Sequence, residues 1–388
     1  MDMQSKAKKL IEMIQTAPVE WKPLGEVASI GKGKQLNKSI LKEKDKYPVI
    51  NGGINPSGYW HEYNNEAGTI VISQGGASAG FVNWMDIPFF AGAHAYTIKA
   101  NEDKLLQRFA YYFLKMKQIT FMQCQYGAGI PALAKSELQN LLIPIPPLET
   151  QQKIVKILDK FTELEATLEA ELALRKRQYQ YYRDFLLDFD NQIGGGIVDG
   201  YKGRLKDVVW KTLGEVCENL DSMRKPITSN FRKAGNVPYY GASGIVDYVE
   251  DFILDGDYLL VSEDGANLLA RKTPIAFSVS GKIWVNNHAH ILKFRTYAER
   301  RFIEFYLNNI DISMYISGAA QPKLNKQNLN KIRIPIPPLP EQEKIVAILD
   351  KFDTLTHSIS EGLPHEIALR RKQYEYYREQ LLAFPKAA

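Results

Sequence analysis

Two stretches of this chain gather long basic and amide side chains between turns. The first holds Lys32, Lys34, Gln35, Asn37 and Lys38, with Gln74 and Ser78 in a glycine-rich segment downstream and Tyr126 beside another. The second holds Arg224, Lys225, Ser229, Asn230 and Arg232, followed by Asn267, Arg271, Lys272 and Lys323. Lys and Arg fix phosphates or pair with guanine edges, and Asn and Gln pair bidentately with adenine. The chemistry on offer is recognition of a polyanion rather than bond making. Asn55-Pro-Ser-Gly-Tyr59 lacks the second proline of the Asn/Asp-Pro-Pro-Tyr/Phe motif of adenine methyltransferases. Gly31-Lys-Gly-Lys34 has neither the glycine spacing nor the Lys-Ser/Thr pair of a phosphate-binding loop. Glu263, Asp264 and Lys272 would suit a nuclease, but the chain offers no matching second set. His94 and His288 stand in matching contexts, Ala93-His-Ala95 and Asn287-His-Ala289. A metal needs more ligands at fixed spacing, even with His290 nearby, so both are expected to be packed or hydrogen-bonded. No catalytic residue and no metal ligand is expected.

The elements that must position these residues occur twice. Ile143-Pro-Ile-Pro-Pro-Leu148 returns 191 residues later as Ile334-Pro-Ile-Pro-Pro-Leu339. Gln152-Lys-Ile-Val-Lys-Ile-Leu-Asp-Lys-Phe161 returns as Glu343-Lys-Ile-Val-Ala-Ile-Leu-Asp-Lys-Phe352. Trp21-Lys-Pro-Leu-Gly-Glu-Val27 matches Trp210-Lys-Thr-Leu-Gly-Glu-Val216, and Gln178-Tyr-Gln-Tyr-Tyr-Arg183 matches Gln373-Tyr-Glu-Tyr-Tyr-Arg378. The period far exceeds the roughly 20–50 residues of a solenoid unit, so what is duplicated is a globular domain plus a helix.

From Ile154 apolar residues recur at Ile157, Phe161, Leu164, Leu168, Leu172, Tyr179, Tyr182, Leu186 and Phe189, mostly in steps of three and four. That seam predicts a coiled-coil helix of about 40 residues, or about 60 Å, with a stutter where two steps of four meet at Leu168. The second copy follows the same seam but carries Glu361-Gly-Leu-Pro364 at its middle, which predicts a break. The simplest closure lays the two helices antiparallel with a globular domain at each end, a dumbbell with approximate two-fold symmetry. Tyr179, Tyr182, Tyr374 and Tyr377 fill the seam; Tyr181 and Tyr376 fall off it and are candidates to dock a partner. Inside the globular parts, Gly68–Ser73 and Tyr258–Ser262 read as buried strands, and Gln107–Ile119 and Glu299–Ile310 as helices. The fold class is therefore α+β with a pseudo-two-fold repeat. The expected division is an N-terminal helical segment at 1–20, domains at 21–148 and 198–339, and long helices at 149–197 and 340–388. Gly194-Gly-Gly196 is expected to be a flexible exit from the first helix.

Composition sets the class. At 388 residues with 45% apolar content the chain can bury cores in two or more domains. Two cysteines, Cys124 and Cys217, do not match between repeats, so no disulfide framework is expected and a reducing cytoplasm fits. No apolar run suits a signal peptide or a membrane span. Residues 21–148 hold 13 Lys/Arg against 9 Asp/Glu and 201–339 hold 19 against 14, whereas 149–190 hold 7 against 9 and 340–388 hold 7 against 8. The globular parts are basic, so a polyanion would meet them rather than the helices.

Together the repeated Trp-Lys-x-Leu-Gly-Glu-Val, the basic domains, Ile-Pro-Ile-Pro-Pro-Leu and Lys-Ile-Leu-Asp-Lys-Phe resemble the specificity subunit of type I restriction-modification systems, over residues 21 to 388. The resemblance implies that each domain is a target recognition domain reading one half of a split, asymmetric double-stranded DNA site. It implies that the helices space the two readers and dock two methyltransferase (modification) subunits, with restriction subunits outside. S-adenosylmethionine and ATP would then belong to those partners, and this chain would bind no cofactor. The basic and amide residues named above become the candidate DNA contacts. Leu36–Tyr47 shows no likeness to Ile227–Val237, as different half-sites require. Two rival classes are a single-chain DNA methyltransferase or nuclease, which the missing motifs disfavour, and a coiled-coil scaffold that binds no DNA, which the basic domains disfavour.

Overall fold

A computed structural model describes residues 3–16, 19–123, 132–189, 208–318 and 320–385. Its longest element runs unbroken from Leu148 to Leu187, through the stutter. The second copy divides, as its Gly-Leu-Pro sequence predicts, into Leu339–His357 and Gly362–Leu382. Gly362 sits at φ +71°, and a Cβ there would lie 2.4 Å from the Thr354 carbonyl oxygen. Pro364 falls in the first turn of the following helix, where a missing N–H is harmless. Left-handed backbone and a backbone clash add, so Gly362→Ala is expected to cost about 2–3 kcal/mol. Urea unfolding measures this; an unchanged midpoint would show that the break does not depend on glycine.

The chain forms two compact units, Met1–Glu169 with Glu366–Ala388, and Ala170–His365. Each therefore contains one globular domain, the entry half of the helix that follows it and the exit half of the other helix.

In the first unit the strands Ala28–Lys32, Ala95–Ala100, Thr69–Ser73 and Val82–Met85 form an antiparallel sheet in that spatial order. Thr69–Ser73 is buried along its whole length, the signature of a strand covered on both faces. A smaller sheet orders Tyr59–Trp60, Tyr47–Ile50 and Phe90–Ala91. The helix Gln107–Met116 buries Phe109, Ala110, Tyr112, Phe113 and Leu114. These join one apolar cluster with Ile154, Leu158 and Phe161 of the helix entry, and Tyr377, Leu381, Leu382 and Phe384 near the C-terminus. The N-terminal helix Met3–Thr16 adds Ala7, Leu10 and Ile14 to this cluster, and the Trp21 indole donates to the Pro385 carbonyl at 3.0 Å.

In the second unit one six-stranded sheet orders Glu218–Asn219, Ala289–Lys293, Leu254–Ser262, Ala276–Val285, Ala234–Gly241 and Gly244–Val249. The long strand Ala276–Val285 is what unites it. The first unit divides the matching stretch into Val82–Met85 and Phe90–Ala91, and Pro88, which has no N–H for a ladder, lies in the gap. The helix Tyr297–Asn309 buries Phe302, Ile303, Phe305 and Leu307 against Leu186, Leu187, Ile345 and Leu349.

The sequence repeat is a repeat of contacts. Trp21 pairs with Pro144 and Trp210 with Pro335 in two matching antiparallel necks. In the first unit Phe161 stacks on Tyr377 at 5.3 Å; in the second, Phe352 stacks on Tyr182 at 5.5 Å. Within the first unit Phe161 meets Tyr377 while Glu165 and Glu169 both hold Arg371, so the two helix segments run antiparallel. Within the second, Tyr182 meets Phe352 and Tyr179 meets both Phe352 and His357, the same sense. The proposed exit at Gly194–Gly196 lies outside the described residues.

Candidate nucleic-acid interface

In each domain the central buried strand is followed at once by a polar residue that ties three loops together. The Gln74 N–H donates to the His94 carbonyl at 2.8 Å, and the Leu133 N–H donates to the Gln74 carbonyl at 2.7 Å. In the second domain Glu263 N–H donates to the His288 carbonyl at 2.9 Å, and Leu324 N–H to the Glu263 carbonyl at 2.7 Å. Isolated bridges repeat as well, Gly75 with Ala132 and Asp264 with Lys323. So does the next tie, from Gly92 N–H to the Ile50 carbonyl at 2.8 Å and from Asn286 N–H to the Tyr240 carbonyl at 3.0 Å. The backbone frame is the same; the side chains on it are not. Gln74 becomes Glu263, Ala132 becomes Lys323, and Tyr96 becomes His290.

That replacement changes the electrostatics beneath the loops. In the first domain the Tyr96 hydroxyl donates to the Leu133 carbonyl at 3.3 Å, and burial raises its pKa. In the second, His290 is fully buried, with Nε2 2.7 Å from the Leu324 carbonyl and Nδ1 2.7 Å from Asp221 Oδ2. Both neighbours are acceptors, so the ring donates on both sides. Arg224 binds Glu263 and lies 3.6 Å from Asp221, and Lys323 Nζ reaches Glu263 Oε1 at 3.1 Å. Burial alone would raise the pKa of both acids. His290, the Ile291 N–H and Arg224 outweigh it at Asp221, and Arg224, His290 and Lys323 outweigh it at Glu263, so both carboxyls lie below their ordinary range. His288 pairs with Asp264 at 2.8 Å, next to this cluster in sequence but not part of it.

The candidate contacts separate into free and committed groups. Lys32, Lys34, Gln35, Asn37 and Lys38 are exposed on the strand end and loop after Ala28; the Lys34 N–H bonds the Ala91 carbonyl, which sets this loop beside the His94 turn. Asn37 also caps Ser39 at 3.1 Å. Gln74 and Ser78 are half-buried in the turn after the central strand. Lys225, Ser229, Asn230 and Lys272 are exposed; Lys323 is exposed too but pairs with Glu263. Four others have their polar atoms occupied by the protein. Arg224 belongs to the buried cluster. Arg232 bonds Asp247 and the Ile227 carbonyl and lies 4.5 Å over the Tyr239 ring. Arg271 donates to the Leu307 and Ile310 carbonyls at the end of the helix Tyr297–Asn309. Asn267 clamps the Thr273 backbone at both N–H and C=O. A free-donor role for these four, expected from residue type alone, would require breaking internal bonds. Tyr126 lies outside the described residues.

Sequence reasoning passed over two further pairs. Asp159 and Asp350, inside the repeated Lys-Ile-Leu-Asp-Lys-Phe, each accept from an arginine of their own domain's helix. Gln151 and Gln342, at the helix entries, are buried and donate to the Pro146 and Pro337 carbonyls at 2.8 Å. Their signal was the repeat itself, because a polar residue kept in both copies of an apolar seam needs an internal partner.

Among the described residues, no group of three or more His, Cys, Asp or Glu could hold a metal ion, and no helix is long and apolar enough to cross a membrane.

The family model of the type I restriction modification DNA specificity domain matches this chain twice, over 18–174 and 206–369. The chain belongs to that family. It is 32% identical to the EcoR124I/EcoR124II specificity subunit of Escherichia coli, across 100% of this chain and 98% of that one. It is 31% identical to a putative type I restriction enzyme specificity subunit of Haemophilus influenzae, across 98% of this chain and the whole of the relative. Its fold matches the crystal structure of a type I restriction-modification S subunit from M. genitalium with a TM-score of 0.68 and 22% identity, covering 96% of this chain and 98% of that one. The two family matches each start just before a paired neck and extend into the helix that follows it, so the family's unit is the domain-plus-helix seen in the repeat.

Proposed function

We propose that this chain is the non-catalytic, cytoplasmic DNA-reading subunit of a type I restriction-modification complex, each domain reading one half of a bipartite asymmetric site. The observation that carries this reading is the loop frame, bonded alike in both domains and furnished with different side chains. A shared frame presents loops to a duplex in the same way, and different donors and acceptors on it select different bases. Lys32, Lys34, Gln35, Asn37 and Lys38 in one domain, and Lys225, Ser229, Asn230 and Lys272 in the other, are the exposed groups for that contact, and Lys323 would join them by exchanging its Glu263 partner for DNA.

Two methyltransferase subunits would dock on the helices, with restriction subunits joining outside, and S-adenosylmethionine and ATP would be bound by those partners. In support, Leu174 and Tyr181 of the first long helix are 56% and 51% exposed, and their repeat counterparts Leu369 and Tyr376 are 46% and 58% exposed. A seven-residue step places each pair on one helix face, and two like faces suit two copies of one partner.

Co-expression with the modification subunit and mapping of methylated adenines is expected to give one split site with two dissimilar halves. Methylation or cleavage by the purified chain alone would establish a single-chain enzyme instead. Absence of any sequence preference in the complex would establish a scaffold.

A further inference from the structure

Two polar devices recur at the entry of each spacer helix. The first is an arginine–aspartate pair. Arg108, on the helix Gln107–Met116, donates through Nε to Asp159 Oδ1 at 2.7 Å. Arg301, on the helix Tyr297–Asn309, donates to Asp350 Oδ1 through Nε at 2.9 Å and Nη2 at 2.7 Å. A phenol completes each carboxylate, but from opposite directions. Tyr112, four residues after Arg108, serves Asp159, and Tyr297, four residues before Arg301, serves Asp350. The second device is the glutamine peg. Gln151 holds the Pro146 and Lys104 carbonyls and accepts from the Leu106 N–H, each at 2.8 Å, and Gln342 holds the Pro337 carbonyl.

These bonds lie where rotation is otherwise weakly opposed. A helix packed on a domain through apolar side chains resists separation more than it resists tilt, because such contacts are non-directional. Hydrogen bonds from a guanidinium and a phenol to one carboxylate are directional. Replacing half-buried ion pairs by apolar contact would keep adhesion, so a pair present in both units, with its phenol supplied from different positions, points to orientation rather than adhesion.

We propose that Asp159 with Arg108, and Asp350 with Arg301, are positioning residues that fix the tilt of each reading domain on its spacer helix and thereby the separation of the half-sites. The inference rests on the two-domain reading above. The lever makes the effect large: across a domain roughly 25 Å deep, a tilt of about 8° moves the far face by about 3.4 Å, one base-pair step.

The test uses the full complex with its modification subunit and S-adenosylmethionine on duplexes whose half-sites are held constant while the spacer varies by single base pairs. Asp350→Asn and Asp159→Asn are expected to raise methylation at spacers one base pair longer or shorter at least tenfold relative to the native spacing, with base preference unchanged. Asp350→Glu, which retains the carboxylate, is expected to restore a narrower spacing preference. Should the Asn variants fail to fold, Tyr297→Phe removes one bond from the anchor and is expected to relax spacing in the same direction. A single retained spacing in folded variants, or loss of base choice in the adjoining half-site, overturns the anchor while leaving the functional reading intact. A wild-type complex that methylates no split site overturns both.

Discussion

Exchanging residues 24–142 for the equivalent segment of another family member is expected to change one half of the methylated site completely and leave the other half and the spacing untouched. The cut points are set by the structure. Pro23 pairs with Leu142, and the Leu24 N–H donates to the Leu141 carbonyl at 2.8 Å, so the grafted segment enters and leaves the neck at adjacent points. The neck, the Gln151 peg and the helix entry remain in place. With two or three altered base pairs at about 1–3 kcal/mol each, discrimination against the old half-site should be on the order of a hundredfold or more. Methylation mapping in cells reads the result directly. A change in both halves would refute modular recognition, because the second loop frame is bonded entirely within its own domain.

The second large effect concerns the buried cluster under the second domain's loops. His290→Ala is expected to cost about 3 kcal/mol, since it removes the buried ring that bonds both Asp221 and the Leu324 carbonyl and leaves Asp221 with only the Ile291 N–H and the more distant Arg224. Tyr96→Phe, at the matching place in the first domain, loses a single neutral hydrogen bond and should cost about 1 kcal/mol. Unfolding measurements on the two variants decide this, and equal losses would contradict the difference drawn between the domains. The cluster also has an acid signature. Asp221 and Glu263 have folded pKa values below their unfolded ones, so their stabilisation is complete above the unfolded value of about 4 and is lost as pH falls through the folded value. Acid should therefore release the second domain's loops while the Tyr96 frame of the first domain, which holds no such acid pair, is unaffected by those two groups. Binding of single half-site duplexes measured from neutral pH downward tests the asymmetry.

Much of the architecture was legible because it rests on short-range periodicity. The seam from Ile154 to Phe189 gave the unbroken helix, and Glu361-Gly-Leu-Pro364 gave the break, since φ > 0 at glycine and a missing donor at proline are local properties. The strand Thr69–Ser73 and the Tyr258–Ser262 half of Leu254–Ser262 were visible as continuous apolar runs, whereas Asp255, Gly256 and Asp257 hid the start of the second. The site was less legible, because a basic residue's role depends on what folds next to it. Arg271 looked like a phosphate ligand, yet it closes the end of a helix 36 residues downstream in sequence. Arg224 and Arg232 looked free, yet Glu263 and Asp247 are brought to them by the sheet. At Asp159 and Asp350, only the packing of each domain helix showed the arginine that each one faces.

The sequence by itself determined the duplication, the family, the helices with their single break, and the division into faithful helices and proline junctions and divergent domain interiors. Those follow from spacing along the chain. Only the tertiary structure decided that each compact unit takes its exit helix from the other repeat, that the two loop frames are bonded alike, and which polar side chains are bonded within the protein. Hydrogen bonds and ion pairs between residues scores of positions apart are settled by where the backbone brings donor and acceptor within about 3 Å, and no local pattern records that distance.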